Sequence, residues 1–509
     1  MKKSTNGSVF LIFLAFFLNE NLNAQSEKSY SQEIQNRIAS VENNLRHWTK
    51  IIGQPELTLE ESMKYYHVNG ISIVVIKDFK IDWAKGYGWA DSLTRRPVNT
   101  STLFQVGSIS KSINGLAVLS LVQRGKLDLD NDINEHLKSW KFPYDSLSKG
   151  KKISVANLLS HTAGLSGHGF PGYEIGDTIP SLIEILNGIP PANTKAIRSQ
   201  FEPSLKYKYS GGGTTISQLI IQDVTQQPYH QFMRKTIFDP LGMKTSSYEQ
   251  PPTLTNKNLL ATGYRSDGKA VTGNYHIYPE QAAAGLWSNP SELAAYVIEI
   301  QQSLVGKSNR ILNKEMTTKY VTPYNPMYVT PYPDEEVALG VYNRKVGNER
   351  YFTHDGSDRG FKAKFIGSIE NGFGAAVMIN SDNREILEEV VNAIALTYQW
   401  KEFLEPDRTV VNIDRKIVDT YLGQYLFEKD QMSIVEEGNQ LFMLVNNTKM
   451  QMWFTSETDF FVLEDRASWK FAKDAQRKVT GFLYKTDGFE ASSKKIELQL
   501  PTTKFFCNG

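Results

Sequence analysis

Thr102-Leu103-Phe104-Gln105-Val106-Gly107-Ser108-Ile109-Ser110-Lys111 is an apolar run that ends in a glycine, a serine and, three residues on, a lysine. Gly107 permits a tight backbone approach. Residues 109–124 then read as a helix, with Ile113, Leu116, Ala117, Leu119, Leu121 and Val122 making a broad buried face. Ser108 and Lys111 share one side of that helix about a turn apart, within hydrogen-bonding reach. The helix start adds unpaired N–H groups and positive potential where an oxyanion would form. An amine held there can take the serine proton and make the hydroxyl a nucleophile. Taken alone, the segment fits a plain helix start with an exposed lysine equally well.

Ser-x-x-Lys by itself is common in this chain and begins also at Ser146, Ser148, Ser266 and Ser492. Those four lie in loops, turns or charged runs and read as solvated surface. Upstream, Ile71–Ile76, a Lys77-Asp78 turn and Ile81–Gly88 read as a β-hairpin. Residues 25–65 carry helical spacing in Ile34, Ile38, Val41 and Leu45. Far downstream, Gly340–Asn343, Tyr351–His354, Phe361–Ile369 and Gly374–Ile379 read as strands, and Arg384–Phe403 as a helix. Strands at both ends with helices between predict one sheet built from distant segments, with the middle as an insertion. Glu405-Pro406-Asp407 reads as a linker. Beyond it, short alternating stretches such as Gln440–Val445, Phe460–Leu463 and Gly481–Tyr484 predict a small all-β domain over 410–509.

Composition narrows the function. With 509 residues, 40% hydrophobic and 22% charged, the chain can bury a large core. Lys+Arg 56 against Asp+Glu 55 leaves a net charge of +1, which gives no footprint for nucleic acid. The single cysteine, Cys507, excludes an internal disulfide and a cysteine-built metal cluster. No Gly-x-Ser-x-Gly elbow, Walker loop or Gly-x-Gly-x-x-Gly fingerprint occurs.

Lys2 and Lys3, the apolar run Val9–Leu18 and small Ala24 predict a signal peptide over 1–24, with a membrane anchor as the alternative. The expected location is therefore the periplasm or the extracellular space, with no stable membrane span after cleavage. Removing that segment leaves a formally neutral chain.

The segment 102–111 resembles the first motif of the serine β-lactamase and penicillin-binding-protein superfamily, in its class C β-lactamase-like branch. Gly125–Asp130, Leu158–Leu165, Pro240–Met243 and Ala283–Ser288 are similar to the same branch, so the resemblance runs from about 66 to 400. It implies an α/β (α+β) fold: a five-stranded antiparallel sheet flanked by helices with a helical insertion, over 25–405. The C-terminal β domain resembles small lipocalin-like modules, which either shape the substrate entrance or only pack against the hydrolase.

The resemblance also implies site residues. Its Tyr-x-Asn motif falls on Tyr209-Ser210-Gly211, so Tyr209 becomes the partner of Lys111 and the acid for the leaving group. Gly211 stands where an asparagine is usual, which puts amide recognition and β-lactam hydrolysis in doubt. Read from the residues alone, Tyr209 is as well a buried aromatic before a glycine-rich turn. The third motif matches His354-Asp355-Gly356, a His-x-Gly variant that places His354 beside Tyr209 as a proton relay or anion contact. Gly356 lets the strand edge approach a bound acyl group, and the amides of Ser357 and Ser108 form the oxyanion hole. The alternative for His354 is an edge-strand histidine. His161, in Ser160-His161-Thr162-Ala163-Gly164, reads as part of a structural turn and not as a catalytic or metal-binding group with His168.

The expectation is an exported serine hydrolase working through an acyl-enzyme on Ser108, with no metal or organic cofactor and a small-molecule or peptide substrate. D-amino-acid or cell-wall peptides and carboxylic esters compete as substrates, with β-lactams third. A rival from another class is a penicillin-binding or glycan-binding sensor that is acylated without turnover. The sequence leaves the oligomeric state open.

Overall fold

The computed structural model describes residues 30–253, 259–325, 330, 334–427, 430–445, 448–463, 466–486 and 489–496. The expected signal peptide and Cys507 lie outside the described residues. β1 (Gly70–Lys77) and β2 (Lys80–Asp91) form the expected hairpin. Its turn is Asp78-Phe79 rather than Lys77-Asp78, and both residues have left-handed φ, 52° and 60°. That geometry matches the twist of the flanking strands. The remaining strands are β3 (Arg96–Pro97), β4 (Phe104–Gln105), β5 (Trp287–Ser288), β6 (Glu335–Val337), β7 (Tyr342–Val346), β8 (Glu349–Asp358), β9 (Phe361–Ser368) and β10 (Gly374–Ile379).

The main sheet runs β3-β2-β1-β10-β9-β8-β7-β6. Every pairing in it is antiparallel. The expected five strands are its centre, β2-β1-β10-β9-β8. It reaches eight because β3 extends one edge and β7 and β6 the other. The expected strand at Gly340 starts only at Tyr342, since Gly340 has φ +106°, outside strand geometry.

Apart from Ser72 and the terminal Lys77, β1 is apolar because it is covered on both faces. Ile71, Ile73 and Val75 pack toward Ile38, Val41, Leu59, Val390 and Ile394 of three helices, Gln32–Glu42, Leu59–Tyr65 and Glu385–Thr397. Val74 and Ile76 belong to the opposite core, with Leu293, Val297 and Ile300 of helix Pro290–Leu304. The helix expected over 384–403 stops at Thr397, and Gln399 and Glu402 then adopt left-handed φ. β1 pairs β10 across some 300 residues, Ile71 opposite Ile379, so residues between β3 and β6 form a largely helical insertion on one side of the sheet. Helix Ile109–Gln123 lies inside that insertion, buried on all sides from Ile109 to Leu121.

A second, nine-stranded sheet is made wholly from residues between Gly423 and Ile496. Its two terminal strands, Thr448–Gln451 and Trp453–Phe454, are separated in the chain by Met452 alone, so the sheet curls into a barrel-like domain. Stacked aromatics fill it: Tyr421 lies 3.7 Å from Phe471, and Phe454, Phe460, Trp469 and Phe482 surround them. The segment read as a linker is pinned rather than loose. Glu405 pairs with Arg466 at 3.0 Å, and Asp407 with Arg46 at 2.8 Å.

Candidate active site

Ser108 is placed by backbone, not by its own side chain. β4 pairs with β5, and Val106 N–H donates to Leu286 at 3.0 Å. Gly107 turns the chain with φ +49° into helix Ile109–Gln123. Serine often caps helices with its hydroxyl, but Ser108 makes no such bond, and its Oγ is free for other partners. Lys111 Nζ donates to Ser108 Oγ at 2.9 Å and to the Ala283 carbonyl at 2.6 Å. The lysine is 4% exposed. The carbonyl comes from helix Gln281–Ala284, which the sequence flagged only as a family-like segment.

The other Ser-x-x-Lys serines differ from expectation at one place. Ser146, Ser266 and Ser492 are exposed. Ser148 is buried, its hydroxyl donating to Asp145 O at 2.6 Å, because a short helical turn folds it inward.

Tyr209 arrives from the stretch before helix Gly211–Thr225, and its hydroxyl donates to Ser108 Oγ at 2.7 Å. Lys111 Nζ sits 5.0 Å from the Tyr209 ring centroid. Ser108, Lys111 and Tyr209, far apart in the chain, thus converge on one oxygen. Two histidines hold the phenol. His161 lies 4.4 Å from it, ring to ring, and His168 meets it edge-on at 5.0 Å. His161 Nδ1 accepts the Ser210 N–H at 3.2 Å, so the neutral ring carries its proton on Nε2. Burial, then the Lys111 charge, holds His161 well below the ordinary histidine range, and His168 is shifted the same way for the same reasons. His161 is thus built into a turn, with φ 55°. Its packing on Tyr209, and that of His168, had no signature in the sequence.

Gly211 is buried and presents nothing to the cleft. The Ser166–Phe170 segment lies along it: Gly211 N–H donates to His168 O at 3.1 Å, and Gly212 N–H to Gly167 O at 2.9 Å. A Cβ at 211 would meet the Phe170 ring at 3.0 Å and the His168 carbonyl at 3.1 Å. A side chain at 211 would fit only if the Phe170 ring and the His168 carbonyl gave way by a few tenths of an ångström.

β8 supplies the facing edge. Its pairing with β7 ends at Thr353, so from His354 to Asp358 it is paired only with β9 and turns its other edge to the helix start. A Cβ on Gly356 would lie 1.8 Å from Val106 O, and one on Gly107 would lie 2.4 Å from Ser357 N. The glycine at 356 is therefore required by backbone against backbone, and the Ser357 amide abuts the turn that carries Ser108. The His354 ring lies 5.3 Å from that of Tyr342, tilted at 59°, and lines the same cleft as Tyr209. Its Nδ1 is 2.6 Å from the Asp355 carbonyl, which can only accept, so Nε2 keeps its lone pair. Burial and the Lys111 charge push its pKa down to about 4. Burial works against ionisation of Asp355, but Lys364 and Arg384 prevail and hold it at about 2.

Behind this edge lie two carboxyls the sequence gave no sign of. Asp358 and Glu280 are 4% and 0% exposed, and among the described residues no side chain hydrogen-bonds to either carboxyl, although the Gly107 backbone and the Lys111 and Lys362 charges act on Asp358. Burial pushes each up to about 8.

Ser108, His168, Tyr209, His354, Gly356 and Ser357 line one cleft of about 1560 Å³, with Lys111 beneath its floor. Among the described residues no helix is long and apolar enough to cross a membrane.

Comparison with known proteins agrees with this arrangement. Protein flp of Staphylococcus aureus (strain N315) is 25% identical over 394 residues, covering 75% of this chain and 70% of that protein. The octameric penicillin-binding protein homologue from Pyrococcus abyssi superposes with a TM-score of 0.61 at 22% identity, over 86% of this chain and 98% of its own. The D-amino acid amidase from Ochrobactrum anthropi SV3, solved with L-phenylalanine amide, gives 0.56 at 21% identity, over 72% and 99%. These likenesses carry the fold of the serine β-lactamase and penicillin-binding-protein superfamily. The Beta-lactamase family model matches residues 56–398, and with the serine, lysine and tyrosine meeting inside that span, the chain belongs to the Beta-lactamase family.

Proposed function

We propose that this chain is an exported serine hydrolase that forms an acyl-enzyme on Ser108. The observation that carries the reading is the pair of hydrogen bonds converging on Ser108 Oγ, 2.9 Å from Lys111 Nζ and 2.7 Å from Tyr209 Oη. For attack on a carbonyl, the serine proton passes to Lys111 as the neutral amine, or to Tyr209 as the phenolate left once its own proton has moved to that amine. Lys111 keeps its bond to Ala283 O meanwhile. The oxyanion rests on the amides of Ser108 and Ser357, a pair in which each donor is worth roughly 3–4 kcal/mol. As the bond to the leaving group breaks, Tyr209 returns the proton to it. Water then attacks the acyl ester, and Ser108 recovers its proton. His354, uncharged at neutral pH, offers Nε2 to the substrate or to that water.

Amides of D-amino acids or cell-wall peptides and carboxylic esters are the substrate classes we assign. A D-amino acid amidase among the structural neighbours supports the amides. Gly211, which brings no side-chain amide to the site, supports esters and argues against β-lactams as the natural substrate. The Lys2–Ala24 leader supports a periplasmic or extracellular location.

The test is turnover of ester, D-Ala-D-Ala peptide and cephalosporin by the mature protein and its Ser108→Ala variant, with intact-mass detection of the adduct over time. The variant loses nearly all turnover and forms no adduct. Unchanged rates in the variant refute Ser108 as nucleophile, and an adduct that never clears favours a sensor.

A further inference from the structure

The cleft that holds Ser108 is larger than the chemistry needs. Sites for single small ligands enclose roughly 300–1,000 Å³, whereas this one measures about 1560 Å³. The extra space is bounded by the C-terminal barrel. Phe442, Met450, Trp453, Leu463 and Tyr484 line it opposite Ser108, Tyr209 and His354. All five are half-buried. They border the cleft because the barrel interior is already filled with stacked rings and leaves them at its rim.

We propose that the barrel rim is a second substrate subsite, binding an apolar chain of the substrate several bonds away from the carbonyl that Ser108 attacks. The inference rests on the serine hydrolase reading and names the substrate class for it: esters or amides with an extended apolar portion.

Three observations favour an apolar chain over a charged or sugar ligand. First, several of the charges that line the cleft pair with one another. Lys364 pairs with Asp355 at 2.8 Å and Glu388 at 2.7 Å, and Arg344 with Asp334 at 2.7 Å. Second, Phe442, Met450 and Leu463 offer no hydrogen bonds to sugar hydroxyls, while Met adapts its shape to apolar partners. Third, the wall is held in place. Arg466 of the barrel pairs with Asp334 at 3.3 Å and Glu405 at 3.0 Å. Arg466 and Arg344 each also lie 4.7 Å from the Trp48 ring. A wall fixed in this way binds an apolar chain without first having to order itself.

The test compares kcat/KM for p-nitrophenyl acetate, butanoate, hexanoate and octanoate, and in parallel for methyl and octyl esters of one acid. The first series lengthens the acyl side and the second the leaving side. Burying a methylene is worth up to about fourfold. One of the two series should therefore rise by roughly 100-fold or more from shortest to longest. Trp453→Gln and Tyr484→Gln, on different strands, should each cut that long-to-short ratio about tenfold. The ratio is read within each variant, so altered folding yield cancels. Flat dependence in both series overturns the proposal, as does a rise that both variants keep, or competition by a chitin oligosaccharide but not by an alkyl chain. Acetate turnover that Ser108→Ala abolishes upholds the nucleophile whatever the chain dependence. Turnover that survives Ser108→Ala, or none on these esters and none on D-amino-acid amides bearing the same alkyl chains, sinks the hydrolase reading and this inference with it.

Discussion

Gly356→Ala is the substitution whose outcome follows most directly from distances. The Cβ it adds would sit 1.8 Å from Val106 O and 2.8 Å from Val106 C, both backbone, where contacts under 3.0 Å essentially never occur. Clearing Val106 O to 3.0 Å parts the two segments by about 1.2 Å. Val106 lies two residues before Ser108, and Gly356 one before Ser357, so the separation falls between the proposed nucleophile and the proposed second oxyanion amide. A misplacement of about 1 Å at a reacting centre costs on the order of 100-fold. Losing one oxyanion donor costs roughly 100- to 1,000-fold. The acylation rate is therefore expected to fall at least about 100-fold, measured in single turnover with a chromogenic ester. Overpacking of this kind costs about 1–3 kcal/mol of stability, so the variant still folds and denaturant unfolding can report it. Acylation within a few-fold of the native rate would refute the claim that β8 is held against Val106 to align the site.

Two further outcomes concern stability. Burial pushes Asp358 up to about 8, whereas an unfolded aspartate ionises near pH ~4. The unfolded chain thus loses this proton first, and stability falls as pH rises from about 4 to about 8, then levels. Asp358→Asn cannot ionise, so its stability relative to the native chain should climb across that window by on the order of a few kcal/mol; denaturant midpoints at pH 5 and pH 8 that shift in parallel would show the carboxyl is not buried uncharged. Gly213, inside helix Gly211–Thr225, has ordinary backbone angles and room for a Cβ, with neighbours no nearer than 3.7 Å. Gly213→Ala should stabilise by roughly 0.5–1 kcal/mol, and a lower melting temperature would contradict that packing.

Much of the fold could be read from local pattern. β1, β9, β10 and helix Ile109–Gln123 appear where unbroken apolar runs or 3.6-residue spacing place them. What misled was local chain reversal and edge pairing. The hairpin turn moved by one residue, and a buried turn took Ser148 from the surface. Strands β3 and β6 joined the sheet unannounced, since edge strands this short carry almost no periodic signal, and the strand read at Gly340–Asn343 became β7, shifted to Tyr342–Val346. Around the site, Ser108 and Lys111 were legible because their contact spans a single helical turn. Tyr209 and His354 were found only through resemblance to a family, and the ring contact of His354 with Tyr342 had no signature in the sequence.

The sequence alone determined which groups are available: a serine and a lysine fixed three apart, a tyrosine ahead of a glycine-rich helix, and a glycine where an asparagine is usual. These are properties of neighbouring residues, set by backbone geometry over a few bonds. Tertiary structure alone decided what each group meets. Phe170 lies against Gly211, His161 and His168 hold the phenol, two carboxyls lie buried behind the strand edge, and a barrel from the far end of the chain walls the cleft. Such meetings depend on how sheets and helices hundreds of residues apart pack to exclude water, and that packing leaves no periodicity in the segments it brings together.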